Sequence, residues 1–170
     1  MTIRRWRLLG GSLAFVLMTA HAVLSVYWAL GGTMMLELIS EAVRNEAQDE
    51  DSQFHILLWT VAFLKLAVAL VALCLTARWS ITPVVEQLQR IIAWITGVLL
   101  TLYGVLNLLV GIASLGGIID GPDRRDATFW AYLFLWAPWW TAIGFAFLVL
   151  SVAVSLDPDE SAPDRMRGQR

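Results

Sequence analysis

Two side chains able to hold or move a proton lie in stretches of this sequence that are otherwise apolar: His21, within TAHAVLSVYWALGG, and Lys65, within VAFLKLAVAL. An imidazole can act as a general acid or base, and an amine can stabilise developing negative charge or add to a carbonyl as a Schiff-base nucleophile. His21 and Lys65 are therefore the candidate catalytic residues. If these stretches are helical, His21, Ser25 and Trp28 share one face, as do Tyr103 and Asn107, which are four residues apart. Trp136, Trp139 and Trp140 flank Pro138, a residue that kinks a helix and frees a backbone carbonyl. Together His21, Trp28, Lys65, Tyr103, Asn107, Trp136, Trp139 and Trp140 form the candidate ligand-binding set, suited in shape to a flat or isoprenoid-like molecule. The same tryptophans are equally compatible with plain packing or lipid contact.

Other chemistries are excluded by what the sequence lacks. The one cysteine, Cys74, allows neither an intramolecular disulfide nor a Cys-x-x-Cys site. No Gly-x-x-x-x-Gly-Lys loop and no Gly-x-Ser-x-Gly elbow occurs. A haem held by both histidines fails on geometry, because His21 and His55 would stand roughly 13 Å apart in depth on upright helices. No metal and no cofactor is expected. A net charge of −2 gives no reason to expect nucleic acid as a partner.

The elements that position these residues follow from composition. Of 170 residues, 58% are hydrophobic and 15% charged, with a mean hydropathy of +0.67, which is the profile of a membrane protein. A span needs about 20 apolar residues, and four stretches qualify: 8–30, 55–77, 91–114 and 129–156. The expected fold is all-α: an integral membrane four-helix bundle. Gly97, Gly104 and Gly111 repeat every seven residues and mark a seam for close helix approach, and Ala62, Ala69 and Ala72 offer a similar strip. The first and third spans both end on a glycine pair, Gly31-Gly32 and Gly116-Gly117, which suggests two tandem helical hairpins.

Arginine orients the chain. Arg4, Arg5, Arg7, Arg78, Arg90, Arg165, Arg167 and Arg170 fall on one side, against Arg44, Arg124 and Arg125 on the other, so both termini are expected in the cytoplasm. Eleven arginines against one lysine point to a GC-rich bacterial genome, and hence to the inner membrane. The N-terminus also has the parts of a signal peptide, with Ala20-His21-Ala22 as a cleavage site. The apolar run continues to Leu30, however, and favours a retained helix. Outside, Met35, Leu38, Ile39, Ala42 and Val43 recur among acidic residues, and the spacing predicts a short amphipathic helix within 33–54. Residues 1–156 read as one four-span domain and 157–170, rich in Asp, Pro, Ser and Arg, as a disordered cytoplasmic tail.

Depth then selects the site. Counting 1.5 Å per residue from the cytoplasmic boundary puts His21 roughly 20 Å, Lys65 and Tyr103 roughly 18 Å and Asn107 roughly 24 Å into the membrane. A polar side chain there is costly against lipid, so all four should face inward as one cluster. With no carboxylate inside any span, the expected partners of Lys65 are Tyr103, Asn107, a carbonyl freed by Pro138, and the faces of Trp139 or Trp140.

His21 followed by Tyr27-Trp28-Ala29-Leu30-Gly31-Gly32, the four-span length, and Pro138-Trp139-Trp140 in the last span together resemble the bacterial membrane family catalogued as domain of unknown function 3995. The resemblance implies a four-helix membrane protein and supplies no activity. Three function classes remain open. The first is a small membrane protein that binds a lipid, a hydrophobic small molecule or a membrane-protein partner. The second is an enzyme acting on a hydrophobic substrate. The third is a small-solute transporter, for which four helices give little lumen and a homodimer would be needed. The lipid bilayer is a partner in all three.

Overall fold

The computed structural model describes residues 2–35, 38, 39, 52–120 and 126–156. The expected amphipathic helix within 33–54 and the tail 157–170 fall largely or wholly outside them. The described fold is all-helical. Four helices, α1 (Ile3–Ala29), α2 (Ser52–Ala77), α3 (Pro83–Leu115) and α4 (Ala127–Leu156), are each long and apolar enough to cross a membrane. Their packing is consistent with a four-helix bundle.

The helices outrun the apolar stretches because their caps lie beyond them. In α3 the Thr82 side chain accepts from the Val85 N–H at 3.2 Å, Pro83 occupies the first turn, and Arg90 donates to Glu86 one turn earlier at 2.6 Å. Each is a helix-start signal independent of hydropathy, so α3 begins eight residues before its expected span at residue 91. In α4 Asp126 accepts from the Thr128 N–H at 2.9 Å. The two glycine pairs prove to be matching helix ends. Gly31 (φ +87°) and Gly117 (φ +69°) lie in the left-handed region, and the next residues, Gly32 and Ile118, bond back to Tyr27 and Ala113. This is the Schellman arrangement, in which glycine avoids the Cβ clash.

α1 packs on α2, and α3 on α4. The two hairpins join along α1 and α4, while the reciprocal seam between α2 and α3 is much looser. α1 and α4 are accordingly the central helices, with 44% and 39% of their spans buried against 17% for each of α2 and α3. Small residues permit the approach. A Cβ on Gly104 would meet Thr141 and stand 2.7 Å from the Ala137 carbonyl oxygen, and one on Gly144 would stand 2.9 Å from the Leu100 carbonyl carbon. The seam of Gly97, Gly104 and Gly111 is thus filled from within, by α4. Gly10 and Gly11, at the start of α1, do the same against Leu150 and Thr76.

One core cluster, built on Ala14, Met18, Ala72, Ile143, Phe147 and Leu150, fills the half of the bundle nearer the chain's N-terminus. A second, built on Leu24, Trp28, Ala131 and Trp136, fills the other half. The outward faces stay apolar, with Leu9, Leu13, Val16, Phe63, Leu64, Leu99, Leu106 and Phe145 all exposed. Apolar surface this extensive belongs against lipid rather than water.

Candidate functional site

His21 and Lys65 meet. Lys65 Nζ lies 3.0 Å from His21 Nδ1 and donates to Ser25 Oγ at 2.8 Å, and the Ser25 hydroxyl donates to the His21 carbonyl at 3.2 Å. The contact joins two neighbouring helices, α1 and α2. The partners of Lys65 therefore differ from the expected ones. Histidine and serine one turn apart on α1 present two acceptors to a single ammonium, whereas Asn107 turns its amide onto its own helix and donates to the Tyr103 carbonyl at 2.8 Å. Of the expected partners, the Trp140 ring alone is engaged, its centroid 5.5 Å from Nζ, within range of a cation–π contact.

The tryptophans of α4 surround His21. Trp140 lies closest, 4.1 Å between ring centroids and inclined by 37°, with Trp139 at 5.6 Å edge-on and Trp136 at 5.9 Å. Trp28 meets Trp136 at 6.2 Å, and Tyr103 meets Trp140 edge-on at 6.2 Å. Three indole N–H groups are spent on backbone: Trp28 on Met34 O at 2.9 Å, Trp136 on Leu38 O at 2.9 Å and Trp139 on Leu17 O at 3.3 Å. The first two also hold the segment after α1 down, so that Met35, Leu38 and Ile39 pack over the second core cluster. Met35 itself stands in a tight turn at φ +63°.

A departure from α-helical geometry aligns the rings. Residues Tyr132–Trp136 form a π-helical turn in which the Ala137 N–H reaches back five residues to Tyr132 O. Its cause is local: Pro138 has no N–H for the Phe134 carbonyl, and the helix widens just ahead of it. Four α-helical residues turn about 400°, and four π-helical residues roughly 330°. One step of each carries Tyr132 through Trp136 to Trp140 within about 10° of two full turns, where an unbroken α-helix would miss by about 80°.

The result is a cavity of about 170 Å³ lined by His21, Trp28, Ile39, Tyr103, Tyr132, Trp136 and Trp140. His21 is 3% exposed, and its Nε2 has no hydrogen-bond partner among the described residues. Where Lys65 carries its proton the ammonium can only donate, so that Nδ1 accepts and the ring proton belongs on Nε2. That leaves a buried donor on a ring that lines an aromatic cavity. Of the residues singled out from sequence, His21, Lys65, Trp28, Tyr103, Trp136, Trp139 and Trp140 gather here, and Asn107 stands outside the cavity lining. Ser25, expected on the His21 face, is among them, and Tyr132 and Ile39 join. Tyr132 lies four residues from Trp136, a spacing that carries the signal, whereas Ile39 is brought in by the segment after α1. No group of His, Cys, Asp or Glu able to hold a metal occurs among the described residues.

Neither a curated protein nor a solved structure matches the chain. The family model described as protein of unknown function DUF3995 matches residues 18–147, a stretch that contains His21, Lys65 and the whole cavity lining. The chain belongs to the DUF3995 family.

Proposed function

We propose that this chain is a multi-pass protein of the bacterial inner membrane, with both termini cytoplasmic, that binds a lipid-soluble small molecule beside His21. One observation carries the reading: His21 Nε2 is buried and lacks a partner among the described residues, on an imidazole that lines a cavity walled by rings. Leaving such a donor unsatisfied costs about 1–3 kcal/mol, which helix packing does not require and a bound acceptor offsets. The orientation rests on the eight arginines of one side against three on the other.

Extraction tests the reading. Wild-type protein purified in mild detergent should yield a small molecule, in near-equal molar amount, that is absent from His21→Phe protein of the same fold. Equal yields from the two proteins, or none from either, would refute it.

A catalytic variant of this reading is favoured by the 3.0 Å contact between Lys65 and His21, which sets an ammonium behind an imidazole that could act as acid or base on the bound molecule. It predicts an altered cellular lipid and isoprenoid profile in a His21→Phe strain. Pure binding predicts an unchanged profile.

A further inference from the structure

Resting on the binding reading above, we infer that the ligand is of the quinone type: a single flat ring bearing a carbonyl oxygen and an apolar tail, with the carbonyl accepting from His21 Nε2–H. Four features of the cavity converge on this class. The polarity of the site comes first. Lys65 donates to Nδ1, and Ser25 is occupied on both sides, accepting from Lys65 and donating to the His21 carbonyl. Among His21, Ser25 and Lys65 the atom left without a partner is His21 Nε2, a donor when Nδ1 accepts, and it calls for an acceptor.

Shape comes second. Trp28 and Trp136 have their N–H groups bound to backbone carbonyls, so they present ring surface to the occupant. Flat walls suit a flat molecule, by offset or edge-to-face contact.

Size is the third feature. The cavity measures about 170 Å³. A void of about 150 Å³ takes a benzene, whereas sites that enclose a drug-sized ligand run to about 300–1,000 Å³. One ring enters, and the remainder of the ligand stays outside. Tyr103, 46% exposed, belongs both to the cavity lining and to the outward face of α3, which sets the mouth on the lipid side. An isoprenoid or alkyl tail lies there at little cost.

Charge is the fourth. The Lys65 ammonium, 3.0 Å behind the imidazole, repels a cation such as a choline headgroup. Two of its three N–H groups serve His21 and Ser25 and its charge lies over Trp140, which leaves it a poor partner for an anion. A neutral carbonyl is the acceptor that matches.

The test uses the purified full chain in mild detergent and three probes of similar tail: decylubiquinone, decylbenzene, and geranylgeraniol as an isoprenoid without a flat carbonyl head. Decylubiquinone should raise the thermal unfolding midpoint saturably, and the other two should not at equal concentration. His21→Phe should weaken the quinone tenfold or more. His21→Gln, which keeps an acceptor for Lys65 and a donor for the carbonyl, should retain part of the affinity and show that the loss is one of hydrogen bonding rather than of folding. If all three probes stabilise the protein equally and His21→Phe changes nothing, the quinone class falls while binding of lipid-soluble molecules stands. If none stabilises it, the quinone class falls, and the extraction experiment alone decides whether another lipid-soluble molecule binds.

Discussion

Replacing Lys65 by Met keeps the unbranched stem and removes the one group that reaches both His21 and Ser25. Two opposing effects set the change in stability. Interhelical hydrogen bonds within membranes are worth about 0.6 kcal/mol on average and rarely above about 1.7, and His21 Nδ1 is left without its donor at a cost of about 1–3 kcal/mol. Against this, a charged lysine at mid-membrane costs about 2.5–3.5 kcal/mol to insert, and Met removes that cost. The terms nearly cancel, so Lys65→Met should change stability by no more than about 2 kcal/mol in either direction. Ligand binding should respond differently. The ammonium fixes the ring proton on Nε2, and without it the ring can carry the proton on Nδ1 instead, which removes a hydrogen bond worth about 0.5–1.5 kcal/mol. Lys65→Met should therefore bind decylubiquinone more weakly, by up to about tenfold. Reversible unfolding in mixed micelles of rising dodecyl sulfate content measures the first quantity, and titration of the same protein the second. A loss of more than about 3 kcal/mol with unchanged affinity would make Lys65 a structural tie, in the manner of a broken buried pair, and refute its role in holding the donor.

Gly104→Ala should cost about 1–3 kcal/mol by overpacking against Thr141 and the Ala137 carbonyl. Gly31→Ala, which meets nothing within 4 Å, should cost only the left-handed backbone, about 1–2 kcal/mol; the same unfolding experiment ranks the two, and a larger loss at Gly31 would contradict the packing of α3 on α4. In a Cys74→Ala background, a cysteine replacing Gln48 should react with an impermeant thiol reagent in intact cells and one replacing Arg165 should not. The reverse pattern would invert the orientation. Terminal sequencing of the mature protein should find α1 retained; a start at Val23 would remove His21 and with it the site.

The four helices were legible because each buries or exposes an apolar run long enough to span a bilayer, and that signal survives any detail of packing. Their true starts were not, because Thr82, Pro83 and the Glu86–Arg90 pair act through capping and side-chain contact rather than hydropathy. The face shared by His21, Ser25 and Trp28 follows from helical period alone. That Lys65 lands on it requires the register of α2 against α1, which small residues such as Ala62 and Ala69 allow but do not specify. Counting depth brought the two side chains to one level, yet the same counting could not foresee that Asn107 would bond to its own helix. Pro138 announced a disturbance in α4. Its form, a π-helical turn that brings Tyr132 into line with Trp136 and Trp140, depends on how the helix relaxes around the missing N–H and on the rings packed against it.

The central claim is that His21 offers a proton on Nε2 to a carbonyl in the cavity, and the chain is suited to a direct test because it contains only two histidines. In protein labelled with nitrogen-15 histidine, His55→Gln leaves His21 as the single imidazole. The nitrogen spectrum should show Nε2 bearing the proton and Nδ1 bare, and adding decylubiquinone should shift the Nε2 resonance while decylbenzene leaves it in place. A proton on Nδ1, or an Nε2 resonance indifferent to the quinone at saturating concentration, would contradict the account.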